Sequence, residues 1–320
     1  MNSFSSDARA AVSVELGKVV IYGVGLIGGS FALALKAARA AREVVGFGRR
    51  PEALAEACAL GIIDRAGAHP AHELADADLV LAATPVGQMP AVFEQIAAHI
   101  GVHTVVMDGG STKTDVVRAA YAAFGGKIGQ FVPAHPIAGA ENSGALAAKG
   151  DLFQRRKVVL TPLPENSAAS LERVKRVWRL CGAQICELTP EQHDRVFAAV
   201  SHLPHLLAFA LVRDLAERPD APLFFEFAAS GFRDFTRIAA SHPEMWRDIC
   251  LANRAALLEE ISAYQRQLRD FARALQENDG ALLEQGFTVA RHARRAWGQK
   301  TEEAEIGTKA SNQTGERKAS

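Results

Sequence analysis

The apolar run Val19–Tyr22 stops at Gly23, and after Ser30 a small-residue helical pattern takes over: Phe31, Ala32, Leu33, Ala34, Leu35. A short apolar run followed by an apolar stretch of helical period predicts a strand leading into a helix. The alternation continues. Residues 43–47 (EVVGF) read as a second strand, and Pro51 starts a helix through Leu60 that Gly61 closes. A short strand is expected near Ile62, a buried strand over residues 79–83 (LVLAA), a helix over 92–100 and a strand over 104–107 (TVVM). A helix holding Val116 and Val117 follows, then residues 129–132 lead into Pro133-Ala134-His135-Pro136-Ile137-Ala138-Gly139. Residues 157–161 (KVVLT) and 184–188 (QICEL) should be the last strands, with a helix over 170–180 between them. Strands alternating with helices predict an α/β fold with a mostly parallel sheet.

The period changes at Thr189. Thr189-Pro190-Glu191-Gln192 is a capping box with Pro at the first helical position, and the chain beyond it reads as almost entirely helical. Ser241-His242-Pro243-Glu244 repeats the design and is expected to open a long helix to about Gln276. On that helix Leu257, Ile261, Tyr264, Leu268, Phe271 and Leu275 form a narrow seam of the coiled-coil kind. A helix this long cannot bury its seam on itself, so a neighbouring helix or a second subunit must cover it, and a homodimer is expected. A final helix is expected over 281–297. The organisation expected is a frayed arm over 1–17, a dinucleotide-binding domain over 18–189, a helical substrate and dimerisation domain over 190–298 and a disordered tail over 299–320.

The first strand–helix junction carries the clearest chemistry. Gly23, Gly25 and Gly28 give G-x-G-x-x-G between a strand and a helix. The first glycine allows a tight turn, the second lets a pyrophosphate approach backbone, and the third lets the helix pack closely on the sheet. The helix N-terminus, with Leu26 and Ile27 in its first turn, then offers free N–H groups and a partial positive charge to the phosphates. The loop at Thr84-Pro85-Val86, after a buried strand, should border the same crevice. An NAD site usually carries an acidic residue at the end of its second strand; here the chain reads Gly48-Arg49-Arg50. Two guanidiniums attract a 2′-phosphate where a carboxylate would repel it, which favours NADP over NAD as cofactor.

Composition narrows the class. Lys and Arg total 36 against 36 Asp and Glu, so no charge excess points to nucleic acid. The four cysteines form no C-x-x-C pair, which suits a reducing cytoplasm. The first fifteen residues lack the apolar core of a signal peptide. No uninterrupted uncharged apolar run of about 18 residues is present, so no membrane-spanning helix is expected.

A dinucleotide domain followed by a helical one implies hydride transfer to or from a small molecule held between them. His135 follows a strand in a rigid loop and has the pKa range of a general base near neutral pH; it could equally be a packed loop histidine. Ser111, in Gly109-Gly110-Ser111-Thr112-Lys113, could cap the following helix. His202 and His205 share a helix face, and His193 lies about opposite His202 on an ideal helix. No third ligand falls at metal spacing, so no metal is expected. Arg237 could grip a carboxylate through its planar fork, or pair with Asp234.

Taken together, residues 23–30 (GVGLIGGS), 109–113 (GGSTK), 135–139 (HPIAG), 193–205 (HDRVFAAVSHLPH) and 231–239 (GFRDFTRIA) resemble the prephenate/arogenate dehydrogenases of tyrosine biosynthesis, over about Lys18 to Trp297. The resemblance implies oxidative decarboxylation of a cyclohexadiene: hydride leaves ring C4, the C4 hydroxyl proton goes to a base, and CO2 departs as the ring becomes aromatic. By motif, His135 matches the catalytic base and Ser111 the serine that bonds it and the hydroxyl. Arg237 matches the arginine that binds a substrate carboxylate, His202 and His205 line the pocket, and Glu141, Asp234 and Trp246 surround its entrance. A β-hydroxyacid dehydrogenase or imine reductase shares the plan but usually places a lysine on a helix as acid/base. A non-catalytic dinucleotide sensor would not need Ser111, His135 and Arg237 at one cleft.

Overall fold

The structure is a computed structural model that describes residues 15–139 and 144–316, with side chains through Gln299. The chain forms two compact units, Met1–Leu258 and Glu259–Ser320. The change of period at Thr189 does not separate them: the helices from Pro190 onward belong with the sheet in the first unit as far as Leu258.

Six strands of the first unit make one parallel sheet: β1 (Leu16–Tyr22), β2 (Ala41–Phe47), β3 (Arg65–Ala66), β4 (Leu79–Ala82), β5 (Val105–Asp108) and β6 (Phe131–Val132). Their spatial order, β3-β2-β1-β4-β5-β6, is that of a doubly wound dinucleotide-binding fold, with its switch point between β1 and β4. The helices are α1 (Leu26–Ala37), α2 (Pro51–Ala59), α3 (Pro70–Leu74), α4 (Met89–His99), α5 (Thr114–Phe124) and, further on, α6 (Ala168–Leu180). Both sheet faces are covered, which explains the unbroken apolar runs. Val19 and Ile21 of β1 and Leu79 and Leu81 of β4 point into the core that holds Phe31 and Trp178. Val20, Tyr22, Val80 and Ala82 point into the opposite core, around Phe93, Phe124 and Phe131.

Several expectations shift. β1 starts at Leu16 rather than Lys18, because Leu16 is buried and the amides of Gly17 and Lys18 donate to Asp78 Oδ2 at 2.6 and 3.1 Å. The rest of the expected arm, 1–14, lies outside the described residues. β3 begins three residues after Ile62. His135 is not in a loop: Ala134–Pro136 forms β7, antiparallel to β8 (Lys157–Leu160), which pairs in parallel with β9 (Gln184–Glu187). These three strands are a separate sheet, not the last strands of the large one. Pro133 causes the switch. It has no N–H to continue the β6 ladder, while its carbonyl accepts from Thr161 N at 3.0 Å in the new sheet.

Helices α7 (Pro190–Phe197), α8 (Leu203–Ala216), α9 (Ala221–Glu226), α10 (Ser230–Thr236) and α11 (Pro243–Ala252) complete the first unit. Thr189 and Gln192 form the expected capping box. A π-helical turn, Ala198–His202, separates α7 from α8. The stretch Pro190–Ala216 is long and apolar enough to cross a membrane, unlike the expectation drawn from uncharged runs alone. Yet its His193, Asp194 and His202 are buried within the protein and hydrogen bonded there. The long helix expected from residue 243 to Gln276 is broken at Asn253, and α12 runs over Arg254–Gln276. His242, without a side-chain cap, precedes α11 in place of the expected box.

The second unit is a helical hairpin, the rest of α12 followed by α13 (Gly280–Glu316). Phe271 meets Phe287 with ring centroids 5.5 Å apart, and Gly286 leaves room for the Phe271 ring. α13 continues well past Trp297, so the expected disordered tail is helical over 299–316; Glu302, Glu303, Ala304 and Glu305 are strong helix formers.

Candidate active site

The glycine loop is built for close backbone approach. Gly23 has φ +90, and a side chain there would press on the Ala83 carbonyl. A Cβ on Gly28 would overlap the Gly23 carbonyl, so the start of α1 packs tightly on its own turn. Gly25, the residue before α1, has nothing within 4 Å of where a Cβ would lie. A tight turn, a close helix and one open glycine at a helix N-terminus fit a dinucleotide pyrophosphate. Leu26 and Ile27 stand in the first turn of α1. Thr84 and Pro85 follow β4, and Thr84 Oγ1 is buried without a hydrogen-bond partner among the described residues. Arg49 and Arg50 are exposed after β2. With its amide oxygen turned outward, Gln88 accepts from the Arg49 guanidinium at 3.1 and 3.3 Å, which ties the β2 loop to the β4 loop.

The first turn of α1 lies against the loop after β5, since a Cβ on Gly109 would meet Ile27 and Pro136. That contact brings His135, one residue before Pro136, to the cofactor end of the sheet. Asp108 at the end of β5 anchors the region. It accepts from Gly110 N and Ala134 N at 2.9 Å and pairs with Lys113, and both charges are fully buried.

His135 is wired to His193, to which the sequence motifs assign no role in the site. Its Nδ1 lies 2.8 Å from His193 Nε2, and His193 Nδ1 lies 2.8 Å from Asp194 Oδ1. Asp194 also accepts from Lys113 N and Thr114 N at 2.8 Å each. The α5 amides are thus capped by a carboxylate 80 residues away in the chain; Ser111 does not cap this helix. Nor does Ser111 hold His135 Nδ1, which is taken by His193. The sequence pattern places His193 opposite His202 and inside the motif over residues 193–205, but nothing in it assigns His193 or Asp194 a role at the site.

Burial pushes the His135 imidazole well below its ordinary pKa, and His193, Lys113 and His202 push the same way. Burial also lowers His193, against the opposing pull of Asp194. Burial drives Asp194 upward, but bonds from His193, Thr114 and Lys113 outweigh it and hold the carboxyl below the usual range. His202 is driven down to about 4, chiefly by burial.

The π turn aims His202 inward. Asn253 Nδ2 donates to the Asp194 carbonyl at 2.7 Å and contacts His202 Nδ1 at 3.1 Å. The opposite nitrogen, Nε2, is buried without a hydrogen-bond partner among the described residues, and the Ser111 backbone lies near the ring. His205 donates from Nδ1 to the Ser201 carbonyl at 2.9 Å and stacks on Trp246 at 3.6 Å between centroids. Burial lowers His205, the Ser201 bond opposes this, and the Arg237 charge lowers it further, which places Arg237 beside it. Hydrogen bonds therefore connect His135 to His202 through His193, Asp194 and Asn253, while His205 stacks on Trp246 and the turn that begins at Arg237 packs on α8, with Trp246 6.1 Å from the His202 ring. Asp234 stands exposed on α10, and Glu141 lies outside the described residues.

Family models fit this chain over nearly its whole described length: the prephenate dehydrogenase nucleotide-binding domain over residues 31–187 and the prephenate dehydrogenase dimerization domain over residues 189–288. The chain belongs to the prephenate dehydrogenase family. A prephenate dehydrogenase of Bacillus subtilis is 36% identical over 86% of this chain and 75% of its own length. A cyclohexadienyl dehydrogenase of Zymomonas mobilis is 33% identical over 87% of this chain and 95% of its own. The Aquifex aeolicus prephenate dehydrogenase solved with hydroxyphenyl propionate and NAD+ is 36% identical, covers 85% of this chain and 95% of its own, and superposes with a TM-score of 0.78. As a prephenate dehydrogenase family member, the chain is an oxidoreductase of the NAD-dependent dehydrogenase class.

Proposed function

We propose that the protein oxidises and decarboxylates prephenate or arogenate, passing hydride to NADP+ or NAD+, in tyrosine biosynthesis. The observation that supports this reading is that a Cβ on Gly109 would meet both Ile27 in the first turn of α1 and Pro136, the residue after His135. Held by its pyrophosphate at the glycine loop, a bound dinucleotide would supply the hydride acceptor through its nicotinamide. His135 takes the C4 hydroxyl proton at Nε2, because Nδ1 is engaged with His193. Ser111 bonds the same hydroxyl, and the buried Nε2 of His202 donates into the pocket. Arg237 holds a substrate carboxylate beside His205, with Trp246, Asp234 and Glu141 around the entrance. Aromatisation makes the reaction strongly downhill, so orientation and one base suffice; a positioned base contributes about 10²–10⁴-fold.

Arg49 and Arg50 favour NADP, since β2 ends at Phe47 and is followed by Gly48 and these two arginines, with no carboxylate there. The protein works as a homodimer through its C-terminal helices, where Leu258, Leu268 and Leu275 are 55%, 51% and 65% exposed in one chain. Four free thiols fit the reducing cytoplasm. The test is steady-state kinetics with prephenate and arogenate against NAD+ and NADP+. The reading requires NAD(P)H formation with release of CO2 from at least one pair. Turnover with small hydroxyacids and none with either cyclohexadiene contradicts it. Sedimentation at micromolar concentration should give a dimer, and a monomer contradicts that part.

A further inference from the structure

The hydrogen bonds behind His135 leave no freedom in where its protons sit. Both oxygens of Asp194 accept backbone N–H groups, Oδ1 from Lys113 and Oδ2 from Thr114. A carboxylate so engaged only accepts. His193 Nδ1, 2.8 Å from Oδ1, must therefore donate. A neutral imidazole has one donor and one acceptor, so His193 Nε2 accepts. Its partner, His135 Nδ1 at 2.8 Å, must then be the protonated nitrogen, and the lone pair of His135 falls on Nε2.

We propose that Asp194, acting through His193, fixes the tautomer of His135 so that Nε2 is its basic nitrogen, which makes His193 and Asp194 positioning residues for the reaction. The inference rests on the reading of His135 as the base. In the step it serves, the substrate O–H bond breaks, an Nε2–H bond forms, and the new imidazolium keeps its Nδ1–H bond to His193, with the Asp194 carboxylate beyond. The device is rigidly mounted. Asp194 is pinned to the start of α5 by its side chain and to Asn253, just after α11, by its carbonyl, and His193 is fully buried against Phe197, with ring centroids 4.5 Å apart.

Asp194→Asn tests the chain of donors at its source. The uncharged amide has one oxygen where Lys113 N and Thr114 N use two, so the ionised acceptor that fixes His193 is lost, and an NH2 group turned to His193 Nδ1 reverses the donors down to His135. We expect kcat to fall about 100-fold or more, with KM and cofactor affinity changing less than about threefold. In 15N-histidine spectra, the neutral His135 signal, assigned by its loss in His135→Asn, should change from the Nδ1–H to the Nε2–H pattern. His193→Leu and His193→Gln test the middle of the chain. Leucine cannot accept from His135 and should cost about 100-fold in kcat, while the glutamine carbonyl can accept and should restore activity to within about tenfold of the parent. This pair decides the matter alone if Asp194→Asn does not fold. An unchanged His135 tautomer in Asp194→Asn, turnover near the parent's in Asp194→Asn or His193→Leu, or equal loss in His193→Leu and His193→Gln overturns the proposal. If His135→Asn itself keeps its turnover, the base reading falls; if that variant is inactive while Asp194→Asn and His193→Leu turn over normally, only the tautomer inference falls.

Discussion

The glycine loop at residues 23–28 and the histidine network around residues 193–202 prepare one site by opposite means. The loop works by leaving side chains out: Gly25 has open space where a Cβ would stand, and Gly23 and Gly28 have none to spare. Its chemistry belongs to backbone N–H groups at the end of a helix. The network works by burying side chains that must satisfy one another. Asp108, Lys113, His193, Asp194, His202 and Asn253 are each less than about a tenth exposed, and their partners come from β5, β7, α5, α7 and α11. Damage to the first should therefore appear mainly in ligand affinity. Damage to the second should reach stability, protonation and turnover together.

The largest stability effect should come from Lys113→Met. It leaves the buried Asp108 charge without its counter-ion and should cost about 3–5 kcal/mol in urea unfolding. A loss below about 1 kcal/mol would show that the network does not couple to the fold. Acid should act next. His202 has a folded pKa of about 4 against about 6.5 unfolded, so the unfolded chain binds more protons between these values. Its contribution is complete above about pH 6.5 and is lost as pH falls toward 4, at most on the order of 3 kcal/mol. His135, His193 and Asp194 are lowered too and add in the same direction. The melting temperature should fall on acidification, and a rise would contradict the network. For the same reason the acid limb of kcat/KM should lie below about pH 6.5, since His135 stays neutral there.

On the other side of the comparison, Gly25→Ala should weaken dinucleotide binding about tenfold or more, with a melting temperature within about 2 °C of the parent. A large loss of stability would mean that this glycine serves folding instead. The smallest effect is expected from Gln88→Ala. Freeing Arg49 from its tie to the β4 loop should shift the NADP/NAD preference about threefold and leave kcat alone.

The same contrast explains what could be read in the sequence. The glycine loop, the capping box at Thr189 and the alternation of elements are local patterns, and each stands where it was expected. His135, Ser111, His202 and Arg237 were recognisable by motif, but their partners were not. His193 meets His135 across 58 residues, and Asp194 caps α5 across 80, so no local spacing reveals either. An ideal helix also puts His193 and His202 on opposite faces. The π turn between them takes up an extra residue per turn and rotates His202 toward the site. The move of β7, β8 and β9 into their own sheet was hidden because a strand pattern does not say which sheet a strand joins, and Pro133 alone marks the switch.

The most direct test of the account is the turnover of His135→Asn measured together with its dinucleotide affinity. The account predicts a folded protein that binds the cofactor as before and whose kcat is lower by at least about 100-fold. Turnover close to that of the parent would contradict the assignment of His135 as the base.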